Sequence, residues 1–508
     1  MTRLARLGLA LLAGVAIAGC GGSSTPGGVQ ALPAIHHLAS STSPIQHVII
    51  VIQENRSFDD LFATFPNADG TTTGKGEPMP ESEASTCAKD NQQVVTQSNS
   101  TVTLTKVSLI GAGFPQYKNK AGKMVDFGEG TDLPHVYGWY GITPFLDEYD
   151  NANMDGFDLE GSGANGNGST LCTYPYQYVN PAAITAYWDL AQQYVLADHT
   201  FQTQGSGSFT AHQDLIAGGT AVNYSYGGYS NDSVIDNPSY WPWGCDAPQG
   251  VITSLITTNL QYLQFKGPFP CFTYETMRDL LDAQSVSWKY YTVQVKGGNA
   301  GLWSAFDAIK AVRYSSEWTT NVTTSPTVIF QDIKAGTLPA VSWVTPDGQN
   351  SDHPDEKGAG GKYVDNGPSW VANVVNSVGE SKYWNSTAIV VLWDDWGGFY
   401  DHVPPPCLSK SQCRDSQGGL GFRVPMIIVS PYVKAHVEHT QYEFGSILKY
   451  IEGNWSLGSL GTTDKRATSI GNVFNYNQKP RKFKEIQAKL PLSFFLHQKP
   501  SSEPPDTE

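Results

Sequence analysis

Gln46-His-Val-Ile-Ile-Val-Ile-Gln-Glu-Asn-Arg-Ser-Phe-Asp-Asp-Leu-Phe62 sets an apolar run against an abrupt Glu-Asn pair, and that junction decides the fold. Val48 to Ile52 are all β-branched, without the polar alternation of a half-exposed strand. They fit a strand covered on both faces in a parallel sheet. Glu54 and Asn55 then fall at its carboxyl end, where open α/β sheets place their ligand crevice. A strand followed by an ordinary polar turn would read the same way in isolation, so the junction needs a second strand of its kind.

Ala388 to Trp393, Ala-Ile-Val-Val-Leu-Trp, is that strand, and it runs into Asp394-Asp395-Trp396-Gly397-Gly398-Phe399-Tyr400-Asp401-His402. Adjacent carboxylates at the end of a buried strand repel unless a cation lies between them. With Glu54 and Asn55, Asp394 and Asp395 form an all-oxygen donor set that suits a hard divalent ion or, with fewer ligands, zinc. Gly397 and Gly398 let the backbone turn tightly beside it. An Asp-Asp pair in a surface turn is also commonplace, and its meaning depends on the rest of the chain.

The Glu-Asn-Arg-Ser-Phe-Asp block, Thr345-Pro-Asp-Gly-Gln-Asn-Ser-Asp-His353, Asp394-Asp-Trp-Gly-Gly398 and Gly421-Phe-Arg-Val-Pro425 follow one another in a fixed order. Together they resemble the bacterial phosphoesterase family, which unites non-haemolytic-type phospholipases C with a group of acid phosphatases. The likeness runs from about Gln46 to about Trp455. It implies an α/β fold of the alkaline-phosphatase-like class: a doubly wound, mostly parallel sheet with helices on both faces and loop-rich insertions. It further implies one divalent metal ion on Glu54, Asn55, Asp394 and Asp395.

Phosphate-ester cleavage needs an in-line nucleophile, positive charge on the non-bridging oxygens and an acid for the leaving group. Phe201-Gln-Thr-Gln-Gly-Ser-Gly-Ser-Phe-Thr-Ala-His-Gln213 resembles the family segment in which a Gly-rich turn presents a hydroxyl at a helix start. Such a terminus favours phosphate. Matching the following His-Gln puts Ser208 on the nucleophile, with Ser206 as the rival register, because Gly207 stands where the family often has Pro. A Gly/Ser helix cap with His212 as an ordinary helix residue is the plainer alternative. His135, in an Asp-x-x-His segment, and His353 are the candidates for phosphate binding or leaving-group protonation. His402 is a candidate for support behind Asp394, whereas His36, His37, His436, His439 and His497 lack comparable context.

The chain has 508 residues and a formal charge of −15, which offers no basic face to a nucleic acid backbone. Residues 1–19 carry Arg3 and Arg6 ahead of an apolar stretch and read as an export signal. Ile17-Ala-Gly-Cys20 resembles a lipobox, so lipidation of Cys20 competes with plain secretory cleavage. The expected destination is the cell envelope, with lipid anchoring to a membrane through Cys20. Residues 20–43 read as a lipoprotein tether, 44–499 as one catalytic domain and 500–508 as a disordered tail.

Setting Cys20 aside leaves Cys87, Cys172, Cys245, Cys271, Cys407 and Cys413, an even number that suggests disulfides in an exported chain. Cys245 with Cys271 and Cys407 with Cys413 are local possibilities, and spacing alone leaves the pairing open. Residues 70–130 read as an insertion of short strands and loops, and residues 223–250 as an aromatic loop. There Tyr240, Trp241 and Trp243 would either cage a choline-like cation or pack the insertion. The expected activity is an exported, metal-dependent, phospholipase-C-like diesterase on a phosphate-ester substrate such as a phospholipid. A phosphomonoesterase of the same family, or a non-catalytic surface binding lipoprotein, stands as the alternative.

Overall fold

The structure is a computed structural model and describes residues 41–89, 93–107, 116–118, 124–126, 142–159, 172–222, 232–257, 261–295, 301–354, 365–408 and 419–499. All of them fall in one compact unit, Leu38–Glu508. The signal segment 1–19, Cys20, His135, Cys413 and the tail 500–508 lie outside the described residues, as does all of the expected tether except residues 41–43.

Eight strands form the main sheet: β1 His47–Gln53, β2 Val195–Ala197, β3 Trp288–Tyr291, β4 Val322–Thr323, β5 Val341–Val344, β6 Thr387–Trp393, β7 Met426–Val429 and β8 His436–Glu438. Their order is β4-β3-β5-β1-β6-β7-β2-β8. Pairing is parallel from β4 to β6 and between β2 and β8, while β7 runs antiparallel to both its neighbours. The mostly parallel α/β architecture is therefore as expected.

Every position of β1 and β6 is buried. Side chains alternate between the two faces of a strand, so the centre of the sheet is covered on both. Each large apolar side chain buried there contributes roughly 1.5–3 kcal/mol, more than the roughly 1–2 kcal/mol of backbone entropy lost per residue. The flanking helices are α1 Thr185–Gln193, α2 Ser208–Ala217, α3 Val328–Ala335, α4 Asn366–Gly379 and α5 Phe444–Trp455. α4 packs with α1 and α3, and α2 packs with α5. The Trp343 indole on β5 donates to the Leu215 carbonyl at 3.2 Å, which ties α2 to the sheet.

Residues 70–130 contain short strands, but also a helix, Glu81–Lys89. Its Glu-Ser-Glu-Ala-Ser-Thr-Cys-Ala-Lys sequence has no apolar stripe to announce it. Cys87 is buried and bonded to Cys172, so a covalent tie anchors a helix that packing alone would hold weakly. Met79, Val95, Val102 and Leu104 of this stretch join a second, smaller core in which Phe145, Phe157 and Tyr176 meet Trp396, Tyr400 and Phe422.

Within the stretch read as an aromatic loop, Asp232–Ile235 is instead a strand of a four-stranded antiparallel sheet. Cys245 is bonded to Cys271 as one of the local possibilities suggested, and Cys407 is disulfide-bonded as well. Trp243 is buried in the main core, whereas Tyr240 and Trp241 are exposed and stack on each other at 6.0 Å. The three rings therefore do not enclose a common space.

Candidate active site

Parallel pairing aligns Gln53 of β1 with Trp393 of β6. Glu54-Asn55 and Asp394-Asp395 consequently leave the sheet side by side. The Asp394 amide bonds the Gln53 carbonyl at 3.0 Å, and the Asn55 amide bonds Asp394 Oδ1 at 3.0 Å. Asn55 has φ 57°, a left-handed conformation that asparagine tolerates better than most residues. Gly397, at φ 61°, turns the chain back so closely that an added Cβ would sit 2.2 Å from the Asn55 carbonyl oxygen. The four expected metal ligands are thus brought together and fully buried.

Ser208 is the first residue of α2, after an extended Gly207 that offers no side-chain cap. Its hydroxyl donates to Asp395 Oδ2 at 3.0 Å and lies 3.4 Å from Asn55 Oδ1. The N-terminus of α2 points its partial positive charge toward this corner. Asn237 fixes the turn by accepting the Phe209 amide at 3.2 Å. The rival Ser206 faces elsewhere: its hydroxyl accepts the Asp236 amide at 2.9 Å.

His212, one helical turn beyond Ser208, enters the same site. Its Nε2 is 2.9 Å from Glu54 Oε1 and 3.6 Å from Asp394 Oδ2. Donor atoms of Glu54, His212 and Asp394 all lie within 4.8 Å of one another, the spacing of a metal triad. This nitrogen joins the oxygen set that the sequence suggested. A four-residue separation puts two side chains on one helix face, and that spacing from Ser208 was the available signal.

Burial raises the Glu54 pKa well above the usual carboxylate range, with the Asp394 charge adding to it. Burial and the Asp395 charge push Asp394 up to about 7. Burial drives His212 down to about 3, so its imidazole is neutral and able to ligate. Glu54 Oε2, Asp394 Oδ2 and His212 Nδ1 are buried with no hydrogen-bond partner among the described residues. Mutually repelling carboxylates that each leave one oxygen unsatisfied beside a neutral imidazole are what a divalent cation would satisfy. The mixed oxygen and nitrogen donors fit zinc or another first-row divalent ion.

His353 is also buried near this centre, its ring 5.5 Å from that of Trp303, which stacks on His212 at 6.5 Å. The His353 charge lowers the Glu54 pKa, opposing the larger effect of burial. Arg56 holds the loop before His353 through two bonds to the Asp352 carbonyl, at 3.1 and 2.9 Å.

His402 does not stand behind Asp394. Its Nδ1 is 2.6 Å from Asp59 and its Nε2 is 3.2 Å from Asp69. It belongs to a network in which buried Arg423 pairs with Asp401 at 3.1 Å and Asp59 at 3.3 Å. His439, for which sequence gave no context, borders this network through the buried Asp198 at 2.9 Å. The tight turn at Gly397 and Gly398 carries the chain away from the sheet end before His402 is reached.

The profile described as the Phosphoesterase family matches residues 45–458 of the chain. A non-hemolytic phospholipase C of Pseudomonas aeruginosa is 24% identical over 511 residues, covering 92% of this chain and 63% of that protein. The chain therefore spans just under two thirds of that relative's length. Phospholipase C B of Mycobacterium tuberculosis is 27% identical over 472 residues, covering 86% of this chain and 78% of the relative. Non-specific phospholipase C3 of Arabidopsis thaliana is 23% identical over 458 residues, covering 86% and 74%. Among solved structures, a protein in the alkaline phosphatase superfamily from Vibrio parahaemolyticus aligns at TM-score 0.31 and 12% identity, over 56% of this chain and 64% of that one. A score that low carries no argument.

Proposed function

The chain belongs to the phosphoesterase family, and from that premise we propose that it is a hydrolase of phosphoric ester bonds, a divalent-metal-dependent phosphodiesterase of phospholipase C type with Ser208 as its nucleophile. One observation carries the reading: the Ser208 hydroxyl lies at the start of α2, 3.0 Å from Asp395, beside the Glu54, His212 and Asp394 cluster.

Ser208 Oγ attacks phosphorus, and its proton leaves toward Asp395 Oδ2, the oxygen it already faces. The positive end of the α2 dipole stabilises non-bridging oxygens as charge builds on them. His353, with His135, binds the phosphoryl group and protonates the departing alcohol. Water then cleaves the phosphoseryl ester, restoring the serine and releasing the phosphoryl product. Glu54, Asp394 and His212, with Asn55 and Asp395, form the donor set for the metal. A divalent ion bound there supplies charge neutralisation and a lowered hydroxyl pKa.

Export and lipid attachment at Cys20 belong to the same proposal. The leader-like residues 1–19, the lipobox-like ending and the disulfides Cys87–Cys172 and Cys245–Cys271 support it. A phospholipid is the substrate class suggested by the relatives' names.

The test is hydrolysis of para-nitrophenylphosphorylcholine against para-nitrophenyl phosphate by the purified chain, beside Ser208→Ala and a chelated sample. Preference for the diester, with loss in both controls, is expected. Preference for the monoester would reassign the chain as a phosphatase. No turnover of either ester by the metal-loaded chain would favour a binding protein.

A further inference from the structure

A second set of carboxylates lies outside the site described above. Glu77 follows the strand Thr73–Gly76, and Asp150 and Asp155 follow the helix Ile142–Tyr149. One oxygen from each lies within 4.8 Å of the others. Asp155 is fully buried, and neither of its carboxylate oxygens has a hydrogen-bond partner among the described residues. Glu77 and Asp150 are only partly buried, so the cluster has one buried anchor and two arms open to solvent.

We propose that Glu77, Asp150 and Asp155 hold a second divalent cation, of the calcium class. Calcium takes carboxylate and amide oxygens at about 2.3–2.6 Å, so ligands on one ion sit within about 5 Å of each other. An unpaired buried carboxylate otherwise bears an uncompensated loss of hydration or must take up a proton. Burial, with Glu77 and Asp150 adding to it, pushes the Asp155 carboxyl up to about 7.

The other polar groups of the cluster are also oxygen donors or bond to them. Asp150 accepts the side-chain amides of Asn153 at 2.9 Å and Asn151 at 3.3 Å. Glu77 Oε2 accepts the Ser98 hydroxyl at 2.8 Å, and the Glu77 amide donates to Asp158 at 3.2 Å. The ion would clamp the segment after Gly76 to the Asp150–Asp155 turn. The helix leading into that turn carries Glu148, which accepts the Trp396 indole at 2.8 Å, and Trp396 directly follows Asp395. The clamp would steady the wall of the active site without touching the reacting atoms.

The experiment is equilibrium dialysis of radioactive calcium against the full chain after chelation, for wild type, Asp394→Ala, Asp155→Asn and Glu77→Gln, with thermal unfolding of each. The Asp394→Ala chain, its first site disabled, should retain one calcium per chain. Asp155→Asn and Glu77→Gln should each bind one fewer than wild type and lose the calcium-dependent rise in Tm. In chelator, Asp155→Asn should melt no lower than wild type, because repulsion is relieved. Glu77→Gln, at a partly exposed position, keeps the comparison decisive if the buried substitution unfolds the chain. No calcium on Asp394→Ala, or wild-type stoichiometry in folded Asp155→Asn or Glu77→Gln, would overturn the proposal.

Discussion

Ser208 Oγ and Asp395 Oδ2 are 3.0 Å apart although 187 positions separate them in the chain. The contact joins a helix start to a strand end. It also distinguishes the two serines of the Gly-rich turn, since Ser206 is committed to the Asp236 amide.

Replacing Ser208 with Ala should lower turnover of a para-nitrophenyl ester on the order of 10³-fold or more, as for other lost nucleophiles. Ser206→Ala should cost about 1 kcal/mol of stability for its lost hydrogen bond and leave kcat within about tenfold. Steady-state kinetics on the two variants check both, and an equally inactive, well-folded Ser206→Ala would move the nucleophile to the other register.

His212→Ala should weaken retention of the catalytic metal at least about tenfold, since even partners of ligands are worth that much. The readout is metal content by mass spectrometry after dialysis against a graded chelator. Retention equal to wild type would remove His212 from the donor set and leave it as a hydrogen-bond partner of Glu54.

Asp394 gives a pH signature to the metal-free chain. Its pKa rises from 3.8 to about 7 on folding, chiefly through burial. The folded state then binds more protons than the unfolded state between those values, so this group's contribution falls as pH rises from about 4 to about 7. Chelated wild type should therefore lose Tm across that window more steeply than chelated Asp394→Asn. Parallel melting curves for the two would contradict it.

Arg423 is buried between Asp401 and Asp59, with its guanidinium 4.4 Å from the Phe58 ring. Removing one partner of a buried ionic network typically costs about 3–5 kcal/mol, because the other charges stay behind. Arg423→Met should lower unfolding stability by that order in a urea titration. A loss below about 1 kcal/mol would mean that water reaches the abandoned carboxylates.

The two long buried strands were legible because an uninterrupted β-branched run has few other uses, and the acids at their ends follow from strand polarity. His212 was harder to see, since every residue of α2 is buried, polar and apolar alike, and the helix has no exposed face against which a functional side chain stands out. The Arg423, Asp59 and His402 network depends on contacts between segments more than 300 positions apart, for which local pattern carries no sign. The helix Glu81–Lys89 escaped for a different reason: a disulfide holds it in place of an apolar stripe.

The register of β1 against β6 also sets a clock. Glu54 is made early and its partner Asp394 some 340 residues later. At about 5–20 residues per second of synthesis, roughly 20–70 seconds pass with only half of this carboxylate cluster in existence. No shorter product, whether a stalled nascent chain or a fragment cut before residue 394, contains both halves. The carboxylate cluster is thereby withheld from the maturing polypeptide until Asp394 has been made.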